Sequence, residues 1–234
     1  MIETLYPDSV ITVAATPDMW SGTLLPEEEA CLSPRAVPKR RREFTAGRVC
    51  ARAALERLGI RGFPIVAAPD RSPVWPPGIV GSLSHCGDYC GAAVARRGSI
   101  AGVGLDVERA RPLQGRVVEI VCTDAERRRL DALPDLPAGL WAMIVFSAKE
   151  GAYKCYHPLT KTFLDFHDME IDLEPETCAF TARVLKSRAA GGQAPADIRT
   201  LRGRFAWNDS YVFAGVTLTA AELQTTDDSG SVPS

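Results

Sequence analysis

In the stretch GVGLDVE, residues 102–108, two acids stand two positions apart, Asp106 and Glu108. Read as a strand, the alternation puts both carboxylates on one face and Val103, Leu105 and Val107 on the other. Two residues of strand rise about 6.6 Å, so the acids repel each other unless that face is wet or holds a cation. A third acid, Glu150, comes with Lys154 one helical turn later in FSAKEGAYK, residues 146–154. Glu before Lys at this spacing is a common stabilising surface pair, and Ser147 with Glu150 also fits a capping box. Set against Asp106 and Glu108, the same glutamate can instead complete a metal site. Mg²⁺ takes oxygen ligands in an octahedron, commonly a few carboxylates, several waters and substrate phosphates. Three acids and a phosphate meet that requirement.

A phosphate in turn needs cations. The run PKRRREFTAGRVCAR at 38–52 carries Lys39, Arg40, Arg41, Arg42, Arg48 and Arg52 against the single acid Glu43. Two readings stand for such a run: a solvated helix face, or a site where arginine forks meet phosphate oxygens. The segment SLSHCG adds Ser84 and His85 at the end of a strand.

These groups need a frame to hold them. Residues 1–37, interrupted by prolines, read as short strand and loop, followed by a basic helix at 38–58 and by a strand with a proline-rich turn at 63–78. Segments 79–85, 89–96 and 100–108 read as three strands, the last two joined by Arg97, Gly98 and Ser99, so the first half is a helix followed by an antiparallel meander. Beyond a connector, Thr123 and Glu126 in capping-box spacing open a helix at 123–133, and a second helix covers 140–157, stopped by Pro158. Leu140, Ile144, Ser147, Gly151 and Cys155 trace one stripe of it. Strands at 166–173 and 180–185 follow, then a hairpin of 201–207 and 211–218. The expected fold class is α+β: two similar halves in a pseudo-two-fold arrangement, 1–108 and 109–223, each a helix on a mainly antiparallel sheet. A polar tail, 224–234, is expected to be disordered.

Composition excludes several classes. Of 234 residues, 46% are hydrophobic and 24% charged, the balance of a globular chain with a real core. The longest apolar run, LWAMIVF at 140–146, falls well short of the roughly 18 residues that span a bilayer. No basic region followed by an apolar one opens the chain, so a cytoplasmic location is expected, with no membrane partner. Seven scattered cysteines without a C-x-x-C argue against a disulfide framework and a structural zinc site. A net charge of −2 gives no nucleic-acid signature.

Taken together, GVGLDVE and FSAKEGAYK resemble the paired signature of the 4'-phosphopantetheinyl transferase superfamily, and RRREFTAGRVCARAAL with PVWPPGIVGSLSHC is similar to its enterobactin-synthetase-component and surfactin-synthetase-activating type. The resemblance implies an enzyme that moves 4'-phosphopantetheine from coenzyme A to a serine of an apo acyl or peptidyl carrier protein, releasing 3',5'-ADP, with Mg²⁺ (Mn²⁺ as substitute) as cofactor. It implies that Asp106, Glu108 and Glu150 hold the metal. Lys154 matches the lysine at the phosphate under substitution, and Lys149, the motif's other lysine, is implied as a further coenzyme A contact. Arg40 and Arg48 match positions that grip the 3'-phosphate end, and Ser84 and His85 a phosphate-contacting pair. Glu150 is the candidate base for the serine hydroxyl.

The chain departs from the pattern in places. Arg71, Ser72 and Pro73 stand where many relatives have Gly-x-Pro, so Arg71 either adds a phosphate contact or faces solvent. Phe146 replaces a frequent Trp, and Gly151 replaces Ala or Ser, at a cost of up to about 1 kcal/mol in helix propensity, which suggests local flexibility. The segment 109–130 mixes Arg111, Arg116 and Arg127 with Val117, Val118, Ile120 and Val121, either a surface for an acidic and apolar carrier helix or a core-packed helix with solvated arginines. A monomer is expected, with coenzyme A between the halves. Two other classes use parts of this set: a Mg²⁺-dependent nuclease, which has no need of the arginine segment, and a non-catalytic carrier-binding module, which has no need of all three acids and Lys154.

Overall fold

The computed structural model describes residues 1–133, 136, 139–185 and 198–223; the expected disordered tail lies outside them. Strand β1 (Val10–Ala14) and the short helix α1 (Pro26–Glu29) precede the long basic helix α2 (Pro38–Arg57). Pro38 opens α2 at a position where its missing N–H costs nothing. Strands β2 (Ile79–Cys86) and β3 (Tyr89–Arg96) form a hairpin, and β4 (Ile100–Arg109) follows. Then come α3 (Arg116–Val121), α4 (Asp124–Leu130), α5 (Leu140–Thr160) and the strands β5 (Met169–Glu174), β6 (Ala179–Val184), β7 (Thr200–Trp207) and β8 (Tyr211–Thr219).

The strands make two antiparallel sheets, β1-β3-β2 and β4-β8-β7-β6-β5, each backed by one long helix, so the mixed α+β class with paired halves holds. The expected meander does not form. Both edges of β3 are taken by β1 and β2, and β4 therefore pairs with β8, Asp106 opposite Ala214. Sheet membership changes between β3 and β4, ahead of the division at 108, and Asp106, Glu108 and Glu150 all belong to the second sheet and its helix. The proline-rich segment is an irregular loop closed by a single bridge, Ala67 to Pro73, rather than a strand.

Between the sheets, β2 and β4 run side by side in the same direction, joined by side chains where a backbone ladder would stand. Leu105 N donates to Ser82 Oγ at 3.0 Å and Val107 N to Ser84 Oγ at 3.1 Å. A layer of Ile2, Leu5, Tyr6, Val80, Ala93, Leu105, Val107 and Phe213 fills the joint from behind, and the Tyr6 hydroxyl donates to Gly104 O at 2.6 Å. Tying the sheets this way makes the seam a fixed reference for both helices.

The helix starting near 123 opens as expected: Thr123 accepts from Glu126 N while the Glu126 carboxylate accepts from Thr123 N. Pro158 does not stop α5. It sits in the last turn, where only one helical bond is lost, and the helix runs on to Thr160 before Lys161 closes it in a left-handed conformation, donating its N–H to His157 O. All seven cysteines are free thiols. Among the described residues, no helix is long and apolar enough to cross a membrane.

Candidate active site

The close approach of α5 to β4 decides where the chemistry sits, and glycines permit it. A Cβ built on Gly104 would stand 2.0 Å from Gly151 O, and one on Gly102 2.8 Å from Cys155 Sγ. Gly151 itself lies against Ala214. The flexibility expected of Gly151 is therefore corrected: it is the contact surface of the helix, and Leu140, Ile144, Ser147, Gly151 and Cys155 are all buried.

At this contact Asp106 is buried and engaged at both oxygens. Oδ1 accepts from Lys154 Nζ at 2.6 Å and from Ser84 Oγ at 3.3 Å, while Oδ2 accepts from Ser147 Oγ at 2.8 Å. Lys154 also donates to Ser84 Oγ at 3.2 Å. Glu150 and Lys154 are thus no surface pair, because the lysine turns inward to Asp106, and Ser147 serves Asp106 instead of capping a helix. Ser147 was not anticipated as part of the site; its place on the buried stripe was the available signal.

Glu108 and Glu150 are half-buried, and Cys86 Sγ donates to Glu108 Oε2 at 3.5 Å. Burial, and then repulsion from Asp106, push both carboxyl groups above the usual range. For Glu150 the charge of Lys154 opposes the rise. Among the described residues no three acidic, histidine or cysteine side chains already stand as a metal cluster.

Across the seam lies the cationic side. Arg40 and Arg48 share one ring: their guanidinium carbons lie 5.9 Å and 4.0 Å from the centroid of Phe44. Arg40 is exposed, whereas Arg48 is buried, its Nε without a hydrogen-bond partner, and burial lowers the pKa of its guanidinium. His85 keeps solvent access at the end of β2, yet the surrounding protein and the charges of Arg40, Lys154 and Lys39 hold it below its usual value against the pull of Glu43. Arg71 sits apart from Arg40 and Arg48, at positive φ in the turn of the proline-rich loop. With Trp75, Tyr153, Lys154 and His157 it lines a cavity of about 690 Å³ between the loop, β2, β4 and α5. Lys154, bonded to Asp106, and Tyr153, beside Glu150, link this cavity to the acids.

Lys149 does not join the group, and its expected contact with coenzyme A is corrected. The side chain points away from the cleft and is 2% exposed, its ammonium donating to Val121 O, Phe166 O and Glu126 Oε2 at 2.8, 2.7 and 2.8 Å. All three donors are used inside the protein.

An α+β molecule of two helix-backed sheets, with a buried carboxylate and a lysine bonded to each other and to a serine at their seam and arginines on the helix of the first sheet, has the equipment of a transferase that handles a multiply phosphorylated ligand. Two family models match the chain: the 4'-phosphopantetheinyl transferase N-terminal domain over residues 27–95 and the 4'-phosphopantetheinyl transferase superfamily over 102–206. They meet where sheet membership changes. The 4'-phosphopantetheinyl transferase Svp of Streptomyces mobaraensis is 39% identical over 227 residues, 94% of this chain and 90% of the relative. The 4'-phosphopantetheinyl transferase PptT of Mycobacterium tuberculosis is 38% identical over 225 residues, 93% and 98% respectively. Enterobactin synthase component D of Escherichia coli (strain K12) is 37% identical over 131 residues, 55% of this chain and 61% of the relative. The chain belongs to the 4'-phosphopantetheinyl transferase superfamily. It is an enzyme that transfers phosphopantetheine from coenzyme A to carrier proteins.

Proposed function

We propose that transfer takes place at the β4–α5 contact, on a serine of the carrier, with 3',5'-ADP as the leaving product and Mg²⁺, or Mn²⁺ in its stead, held by Asp106, Glu108 and Glu150. The observation that carries this reading is Lys154, fixed between Asp106 and Ser84 with Glu150 one helical turn away. The donor set fits the ion: all three ligands are carboxylates, the hard oxygen donors Mg²⁺ takes, and a cation would favour the charged forms that burial and Asp106 disfavour in Glu108 and Glu150. When bound, the ion supplies charge neutralisation to the pyrophosphate and its leaving oxygen.

The remaining work falls to the chain. Lys154 offers a positive charge to the phosphate under attack, preorganised by Asp106 and Ser84. Glu150, one helical turn from Lys154, accepts the serine proton. Arg40, Arg48 and His85 take the 3'-phosphate end, and Arg71 the ligand in the adjoining cavity.

The carrier meets α3. Val117 and Ile120 face outward beside the exposed Arg111 and Arg116, while Val118 and Val121 turn into the core, so the helix presents a basic and apolar edge suited to an acidic, apolar partner helix. We place the enzyme in the cytoplasm as a monomer. Incubation with coenzyme A and an apo-carrier, with and without chelator, tests the reading by mass. Carrier gaining phosphopantetheine only with metal present supports it. Transfer undiminished by chelation removes the metal from the reading.

A further inference from the structure

The buried pair of Lys149 and Glu126 faces away from the phosphate cleft, and its bonds lead toward α3. A buried ion pair is weak support for stability, since packed apolar residues of equal volume often serve as well. What apolar residues cannot do is address several polar groups at once. Lys149 Nζ reaches Val121 O, where α3 ends, Phe166 O, in the 3-10 turn Phe166–Asp168, and Glu126. Glu126 accepts from Thr123 N at 2.7 Å and from Ile171 N of β5 at 2.6 Å. The exposed His167 adds a link from Nε2 to Glu119 O at 2.9 Å, joining the turn to α3. Two of these partners, Val121 and Glu119, lie in the helix that carries Val117 and Ile120, and the residue after Lys149 is Glu150.

We propose that Lys149 and Glu126 are positioning residues, which hold α3 and the turn at 166–168 at a fixed place relative to Glu150, so that a docked carrier presents its serine at the reacting phosphate. This rests on the carrier-docking reading above. Neither side chain touches coenzyme A; their effect reaches the reaction through the register between platform and base.

The test measures carrier KM, kcat and the coenzyme A dissociation constant on the full chain. Glu126→Gln keeps size and the acceptor for Ile171 N but sets an amide against Lys149, and Lys149→Met removes the charge while keeping the stem. Each is expected to raise carrier KM about tenfold or more, as small misplacements do, with coenzyme A affinity unchanged, and the double variant is expected to be no worse than the poorer single one. His167→Ala, at an exposed residue that leaves the core intact, is expected to shift carrier KM the same way and decides the matter should the buried variants fail to fold. Unchanged carrier KM in the folded variants overturns the proposal, and so does a parallel loss of coenzyme A affinity. Val117→Ser with Ile120→Ser separates the two readings: carrier KM untouched there overturns the docking face and this proposal with it, whereas carrier KM raised there but untouched by Glu126→Gln, Lys149→Met and His167→Ala overturns the positioning role alone.

Discussion

At the residue scale, the site is a contest between one buried carboxylate and its donors. Asp106→Ala leaves Lys154, Ser147 and Ser84 without their common acceptor, and both this variant and Glu150→Ala are expected to abolish transfer. Coenzyme A binding is expected to survive in part in both, through the proposed contacts of Arg40, Arg48 and His85, which calorimetry checks. Glu108→Ala is milder, because water can replace one oxygen of an octahedron. Loss of a charge-assisted contact is worth roughly 1.5 to 3 kcal/mol, so Arg40→Ala and Arg48→Ala each weaken coenzyme A about ten- to a hundredfold. The same changes barely affect 3'-dephospho-coenzyme A, whereas Lys154→Ala lowers turnover on both alike. His85 gives a pH signature. Its pKa is lowered in the free protein by its surroundings and nearby cations, and a bound phosphate raises it. Binding therefore takes up a proton, and affinity grows as pH falls from the bound-state value to the free-state value, then levels off. Proton uptake measured in buffers of different ionisation enthalpy checks this, and His85→Gln flattens it. That Asp106 would meet Lys154, with Glu150 one turn away, was legible because acid and lysine sit at strand and helix spacings. Lys149 was misread because a motif lysine beside a catalytic candidate shows charge but not direction: only the structure shows three acceptors on its far side.

At the element scale, the glycines matter as surfaces. Gly104→Ala puts a methyl into Gly151 O and forces α5 off β4, separating Lys154 from Asp106; overpacking of this kind costs about 1 to 3 kcal/mol. Gly151→Ala meets Ala214 O at 3.3 Å, a small adjustment, and regains up to about 1 kcal/mol of helix propensity. Denaturant melts and turnover together are expected to show Gly104→Ala unstable and inactive and Gly151→Ala near wild type; equal damage from both would mean that close approach does not position the lysine. Helices were the readable elements, since Pro38, the Thr123 and Glu126 box and the apolar stripe of α5 are local signals. The partner of β4 was not readable. Nothing in GVGLDVE says which edge will be free when it arrives, and β1, short and next to prolines, gave little warning that it would occupy the far edge of β3.

At the scale of the whole molecule, two sheets are joined through serine hydroxyls and an N-terminal plug. Ser82→Ala leaves Leu105 N buried without an acceptor, expected to cost about 1 to 3 kcal/mol in a denaturant titration, and Tyr6→Phe removes the bond to Gly104 O. The duplication of helix and sheet was visible in element order alone; the seam was not, because serine in a strand carries no sign of the backbone N–H it will receive. The pairing of β4 with β8 also has a consequence for synthesis. The strand bearing Asp106 leaves the ribosome well before residues 211–219, the only strand it pairs with among the described residues. Until then the nascent chain can close its first three-stranded sheet while β4 and β7 wait with open edges, each a template for a neighbouring chain. The last strand inserts between them like a key stone. A ribosome stalled before 211 would hold a half-built, sticky protein, and a chain ending at 210 is expected to sediment as aggregate where one ending at 223 stays monodisperse. Whatever protects this enzyme during translation must do so over that interval.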